Sequence, residues 1–197
     1  MWVVKLGGSL ADSEALPLWL EALKQCGVVI VPGGGPFADA VREAQGRWPF
    51  SDQTAHDMAI LGMRQYGLML ADFGSLPVAD EPHDLSAYEG RCVVWLPMPD
   101  SLNAAGIQPS WDITSDSIAA WLAGRLQATN LLLIKHADLS RQSIGCDELV
   151  SQGVVDAAFG EFFYRSGCDG WVVSQDGYKD LGLALDSPAK HFTHIGL

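Results

Sequence analysis

Five short apolar, β-branched runs punctuate the chain at positions 2–6, 28–31, 93–96, 131–134 and 171–174. Each is nearly continuous rather than alternating and too short for a helix, the pattern of strands buried on both faces. A last strand is expected near 192–195. Between these runs apolar residues return at helical spacing over 13–25, 36–45, 52–70, 114–126 and 155–165. The order is mostly strand then helix, and parallel neighbours need a long right-handed return connection. The expected fold is therefore α/β, a three-layer α-β-α sandwich with a mostly parallel central sheet. The proline-rich stretch 97–109 reads as a loop, and no internal repeat or low-complexity tract interrupts the pattern.

Composition narrows the picture. A chain of 197 residues, 48% hydrophobic and with 21 glycines, has the makeup of one compact domain or at most two small ones. Twelve basic against 24 acidic residues give a formal net charge of -12, which disfavours general binding to nucleic acid or to an anionic membrane. An anionic small substrate would then need a locally positive pocket. The longest apolar runs fall far short of the ~20 residues that span a bilayer. The start, Met1-Trp2-Val3-Val4-Lys5, lacks the basic and apolar stretches of a signal peptide, so a cytoplasmic location is expected. Cys26, Cys92, Cys146 and Cys168 form no C-x-x-C pair and read as small buried hydrophobes.

Candidate chemistry gathers at three places. The first run ends at Lys5-Leu6 and enters Gly7-Gly8-Ser9, where backbone amides can turn toward an anion without side chains in the way. The second ends in Pro32-Gly33-Gly34-Gly35-Pro36, with Pro36 expected at the first helical position so that the helix start faces back over the loop. A helix end is worth only roughly 0.3–1 kcal/mol per exposed charge, so several amides and a lysine must converge to hold a polyphosphate. The bland alternative is that both glycine segments are merely tight turns. The third place is Asp112-Ile113-Thr114-Ser115-Asp116, where Thr114 or Ser115 caps a helix whose Ile118, Trp121, Leu122 and Leu126 form an apolar stripe. Asp116 there is either a simple helix-start carboxylate or an acid that orients a lysine or a metal. Gly33 to Ala38 also satisfies G-x-G-x-x-A, but no strand with a closing acidic residue follows, which makes a dinucleotide site the weaker account. No G-x-x-x-x-G-K-[ST] is present.

With Lys5 in a K-x-G-G-S start, the second glycine turn at Gly33–Gly35 and the late T-S-D-S-I-A helix start before Leu131-Leu132-Leu133-Ile134, the sequence resembles the amino acid kinase family. The segment from Ala55 to Gly67 looks most like its archaeal-type branch, which includes an aminomethylfuran phosphate kinase of methanofuran synthesis. The resemblance implies an ATP-dependent small-molecule kinase acting on a small anionic acceptor, such as a phosphate monoester, in one-carbon cofactor synthesis. It implies a single domain with an acceptor half over about 1–110 and a nucleotide half over about 111–197, magnesium bridging the ATP phosphates, and a homodimer. By the same resemblance Lys5 neutralises the transferred phosphoryl group. Gly7, Gly8, Ser9, Gly33, Gly34 and Gly35 line it with amides, Asp116 holds the lysine, and Asp112 stands on the acceptor side.

The chain departs from the family pattern in two respects. The second lysine common in such kinases is absent from 140–163, and the D-V-D-G-like nucleotide turn is replaced by Lys135-His136-Ala137-Asp138-Leu139. Lys135, at a strand's carboxyl end where open α/β sheets bind ligands, is the candidate substitute, with His136 and Asp138 beside the nucleotide. His56 and Arg64, eight residues apart in one helix, are read as sharing a face that reaches an anionic acceptor. The departures, and a length short for the family, also keep open a degenerate kinase fold that serves as a binding or partner subunit.

Overall fold

In the computed structural model, which describes residues 1–136 and 141–196, every apolar run named above is a strand. Along the chain lie β1 (Trp2–Leu6), α1 (Ala15–Lys24), β2 (Val28–Pro32), α2 (Gly35–Arg47), α3 (Asp52–Gly74), β3 (Val78–Ala79), β4 (Val93–Trp95) and α4 (Pro99–Ala104). They are followed by α5 (Ser115–Arg125), β5 (Asn130–Lys135), β6 (Ser143–Gly145), α6 (Cys146–Ser151), α7 (Phe159–Ser166), β7 (Asp169–Ser174), α8 (Leu181–Asp186) and β8 (Thr193–Gly196). The strands form one sheet in the order β3-β4-β2-β1-β5-β7-β8-β6. All neighbours are parallel except β7 and β8, which pair antiparallel. No helix among the described residues is long and apolar enough to cross a membrane.

Alternation along the strands divides the core into two layers, one on each face of the sheet. Val3, Val29, Val31, Leu131 and Leu133 point to one face, where Ile118, Ala119, Leu122 and Phe159 from α5 and α7 cover them. Val4, Leu6, Val28, Ile30 and Leu132 point to the other, under Trp19 and Leu23 of α1 and Tyr66 and Leu70 of α3. Each large side chain fully withdrawn from water here contributes roughly 1.5–3 kcal/mol. Trp19 satisfies its only polar atom by donating Nε1–H to the Gln175 carbonyl at 2.6 Å. The 97–109 segment is not loop throughout, because Pro99 starts the six-residue α4 at a position where a missing N–H costs nothing.

The order of strands determines where a ligand can sit. From β1 the chain steps through α1 to its neighbour β2, builds outward to β4 and β3, then returns through α5 to β5 on the opposite side of β1. The winding reverses between β1 and β5, and open α/β sheets leave a crevice beyond the carboxyl ends of the strands at such a reversal. Lys5 and Lys135 stand at those two ends.

Candidate active site

Side-chain direction follows from strand parity. Lys5 lies two residues beyond Val3 and Lys135 two beyond Leu133, so both point to the α5 face, and the register Lys5↔Leu133 sets Lys135 diagonally beyond Lys5 at the carboxyl ends of the strands. The first turn of α5 meets them there. The Asp116 carboxylate spans the two lysines, with Oδ1 2.9 Å from Lys5 Nζ and Oδ2 accepting a hydrogen bond from Lys135 Nζ at 2.6 Å. The Lys5 contact is a close ion pair. All three side chains are buried or nearly so.

Electrostatics within this triad are lopsided. Burial alone would raise the Asp116 carboxyl, but the Lys5 and Lys135 ammoniums outweigh it and hold the group below its ordinary value. Burial, and then the neighbouring Lys5 charge, push Lys135 down to about 8 against the pull of Asp116. Below that pH the triad carries one more positive than negative charge. It forms a positive spot in a chain of net charge -12.

The two glycine segments close on each other beside the triad. Gly33 donates its N–H to the Leu6 carbonyl at 2.8 Å. A Cβ on Gly8 would collide with the backbone of Gly35, and one on Gly33 with the backbone of Gly8. Gly35 opens α2 with φ +53, a left-handed conformation that suits glycine. Pro36 is accordingly the second helical residue rather than the first. The leading amides of α2 and of the 3₁₀ turn Gly8–Leu10 have no acceptor within their own helices, so they are available to an anion.

A cleft of about 310 Å³ opens from this cradle. Lys5, Gly8, Ser9, Gly34, Gly35 and Asp116 line one part, and Ile60, Met63, Ile113 and Ile118 supply an apolar wall. At its mouth the Arg42 guanidinium sits 4.5 Å from the centroid of the Trp111 ring, whose Nε1–H is fixed by Gln45 Oε1 at 2.7 Å. Arg42 and Asp39 were not singled out from the sequence, and their helical positions carry no signal that distinguishes them from surface charges.

Several expected placements differ. His56 lines the cleft, buried, but Arg64 does not. Eight residues at 100° each leave them about 80° apart around the helix rather than on one face. Arg64 instead pairs with Asp80 Oδ1 at 2.6 Å and donates to the Leu96 carbonyl at 3.1 Å, which fastens α3 to the edge of the sheet. Asp112 is exposed and outside the cleft lining, and so is His136. Gly7 and Gly33 support the cradle without lining the cleft. Asp138 lies outside the described residues.

Neither Thr114 nor Ser115 caps α5 with its own side chain. Thr114 occupies the cap position, but the Asp156 carboxylate takes over that role, accepting from Thr114 N at 2.9 Å, Thr114 Oγ1 at 2.8 Å, Ser117 N at 3.0 Å and the Ser117 hydroxyl. Asp156 comes from 42 residues along the chain, a distance over which local spacing carries no information.

Comparison with known proteins agrees with this geometry. The sequence signature of the amino acid kinase family matches residues 1–139. A [5-(aminomethyl)furan-3-yl]methyl phosphate kinase from Methanocaldococcus jannaschii is 32% identical over 146 residues, covering 70% of this chain and 67% of that protein. Uridylate kinase from Archaeoglobus fulgidus superposes over 99% of both chains with a TM-score of 0.72 at 19% identity. Isopentenyl phosphate kinase from T. acidophilum superposes over 100% of both with a TM-score of 0.61 at 14% identity.

Proposed function

The chain belongs to the amino acid kinase family and is a small-molecule phosphotransferase; on that premise we propose that it moves the γ-phosphoryl group of ATP onto a small phosphate monoester, producing a diphosphate. The observation that carries this reading is the Lys5–Asp116–Lys135 triad at the winding reversal, flanked by two glycine segments packed backbone to backbone and by the leading amides of α2 and of the Gly8–Leu10 turn. Lys135, ion-paired to Asp116, would supply the second cation that 140–163 lacks, which supports a catalytic reading over a non-catalytic partner subunit. Membership of this family also replaces the dinucleotide reading of Gly33–Ala38.

In the proposed reaction an oxygen of the acceptor phosphate forms the new bond to the γ-phosphorus as the bond to the β–γ bridging oxygen breaks. ADP leaves with that electron pair. A phosphate monoester has already lost its second proton near pH 7, so the attacking oxygen needs no general base. Asp116, ion-paired to both lysines and held ionised, positions them and takes no proton. Lys5 and Lys135 offset the charge that accumulates on the equatorial and leaving oxygens, where positioning and electrostatics do nearly all the catalysis. Among the described residues no group of three or more His, Cys, Asp or Glu side chains gathers to hold a metal. Magnesium would arrive on the ATP phosphates, where it would neutralise phosphate charge, while the cradle amides and the two lysines would contact the phosphate oxygens.

We assign the acceptor to the half of the chain over about 1–110, which supplies most of the cleft, and the nucleotide to 111–197, the half that carries Lys135. The acceptor class is that of the methanocaldococcal relative, an aminomethylfuran-type phosphate, in cytoplasmic methanofuran- or tetrahydromethanopterin-linked one-carbon cofactor synthesis. The exposed apolar side of α3, with Met58, Leu61, Leu68, Met69 and Phe73, supports a homodimer joined along that helix. The test is ³¹P NMR of Mg-ATP incubated with enzyme and a panel of phosphomonoesters. A pair of coupled diphosphate doublets from the acceptor, with ADP in equal amount, is expected. ATP left intact across the panel, with the nucleotide still bound, would overturn the reading.

A further inference from the structure

The cleft beside the triad has a neighbour. A second, shallower hollow of about 380 Å³ is lined by Arg42, Gln45, Gly46, Asp52 and Trp111. Among the described residues the two hollows share Arg42 and Trp111 alone, so this pair is the partition between them. The indole is held there on two sides. Its Nε1–H, which can only donate, meets Gln45 Oε1 at 2.7 Å, and the Arg42 guanidinium lies 4.5 Å from the ring centroid. The Gln45 amide is fixed in turn, because its Nε2 donates to the Phe50 carbonyl at 3.2 Å and to Asp52 Oδ1 at 2.9 Å, a carbonyl and a carboxylate that only accept. Gln45 and Trp111 are 66 residues apart in the chain, so their bond also ties the segment that enters α5 to α2.

Position along α2 converts this partition into a length. Arg42 lies seven residues beyond Gly35, and a rise of about 1.5 Å per residue puts it about 10 Å along the helix from the glycine cradle. A ligand whose phosphate occupies the cradle has room for about one ring before it meets the indole. We propose that Trp111, fixed by Gln45, sets the upper length of acceptor that the cleft takes. A tail that ends before the indole fits, and a longer rigid one is refused, because the ring can swing aside only by giving up both of its contacts. Beyond the ring the outer hollow is open, since a Cβ added at Gly46 would meet no atom within 4 Å. Loss of the indole therefore joins the two hollows. Trp111 is a specificity-determining residue, and Gln45 is a positioning residue that acts through it. The inference rests on the kinase reading above for placing the phosphate in the cradle, and on the two hollows for the length limit.

The experiment compares benzyl phosphate with its para-phenyl homologue, which is one rigid ring longer. Binding is measured by calorimetry and transfer from Mg-ATP by ADP release, for the wild type, Trp111→Ala and Gln45→Leu, with circular dichroism reporting the fold. The wild type is expected to bind the shorter compound at least about tenfold more tightly than the longer. Trp111→Ala is expected to bring that ratio to one or below by gaining affinity for the longer compound. Gln45→Leu, which frees the indole without removing it, is expected to narrow the ratio. A merely structural role for Trp111 would weaken both compounds alike and leave the ratio where it was. Equal binding of the two compounds by the wild type would overturn the proposal without recourse to any variant. So would a ratio unchanged in a folded Trp111→Ala protein. Binding of neither compound would overturn the placement of the acceptor in this cleft and the proposal with it. A length limit in binding with no transfer to either compound would sustain this inference while contradicting the kinase reading, and transfer to both with equal kcat/KM would do the reverse.

Discussion

Asp116 is the residue on which the site's electrostatics turn, because it is the counter-ion of two buried lysines at once. Removing it as Asp116→Ala leaves two ammoniums facing each other out of water, and a loss of about 3–5 kcal/mol of stability is expected from denaturant titration. The pH dependence of catalysis should follow Lys135. Its value of about 8 means that the charge is present below that pH and lost above it. We expect kcat/KM to fall as pH rises through about 8, and Lys135→Arg to carry that alkaline limb upward. Stability should move the other way. Between about 8 and the ordinary lysine value of 10.5 the unfolded chain binds the proton that the folded one has released, so this group's contribution to stability rises with pH. Activity that falls while the melting temperature holds would identify loss of the charge rather than unfolding. Arg64 gives the contrasting case. Arg64→Ala should weaken the fold by roughly 1–3 kcal/mol and leave the acceptor KM unchanged, since the guanidinium holds Asp80 and the Leu96 carbonyl rather than ligand.

At the scale of elements, α5 and the two glycine segments hold the site in place. Asp156 accepts four hydrogen bonds at the start of α5, in the same first turn that carries Asp116. Asp156→Ala is expected to cost about 1–3 kcal/mol and, by fraying that turn, to lower kcat more than it raises either KM. Gly8→Ala forces the two glycine loops apart and should weaken ATP binding at least tenfold by calorimetry while far-UV circular dichroism stays native. The sequence made the long elements legible because burial of both sheet faces writes itself as continuous apolar runs, as at Val28–Pro32 and Asn130–Lys135. It did not reveal β3 and β6, which have two and three residues, because a period of two needs more positions than that to show. The members of the triad were legible, Lys5 and Asp116 by their motifs and Lys135 by its place at a strand end, but not the contact of Lys135 with Asp116. The Asp156 cap and the Arg42–Trp111 stack depend on tertiary contacts between remote segments, which no local pattern encodes.

For the whole molecule, the reversal of winding between β1 and β5 brings lysines from distant parts of the chain to one carboxylate. Assembly is expected to use the surface that the fold leaves apolar. On the 23-residue α3, Met58, Leu61, Leu68, Met69 and Phe73 fall within one exposed stripe that an identical stripe can cover in a two-fold pair. Light scattering should report a dimer for the wild type, and a monomer for Leu61→Glu with Met69→Glu. The account as a whole depends on Lys135 standing in for the second lysine that the chain lacks at 140–163. The most direct test is the transfer rate of Lys135→Met at saturating Mg-ATP and acceptor, beside that of Lys5→Met. A fall of about 10² or more in kcat for both, with the proteins folded, is the predicted result. A Lys135→Met enzyme that turns over at the wild-type rate would contradict the assignment of phosphoryl transfer to this triad.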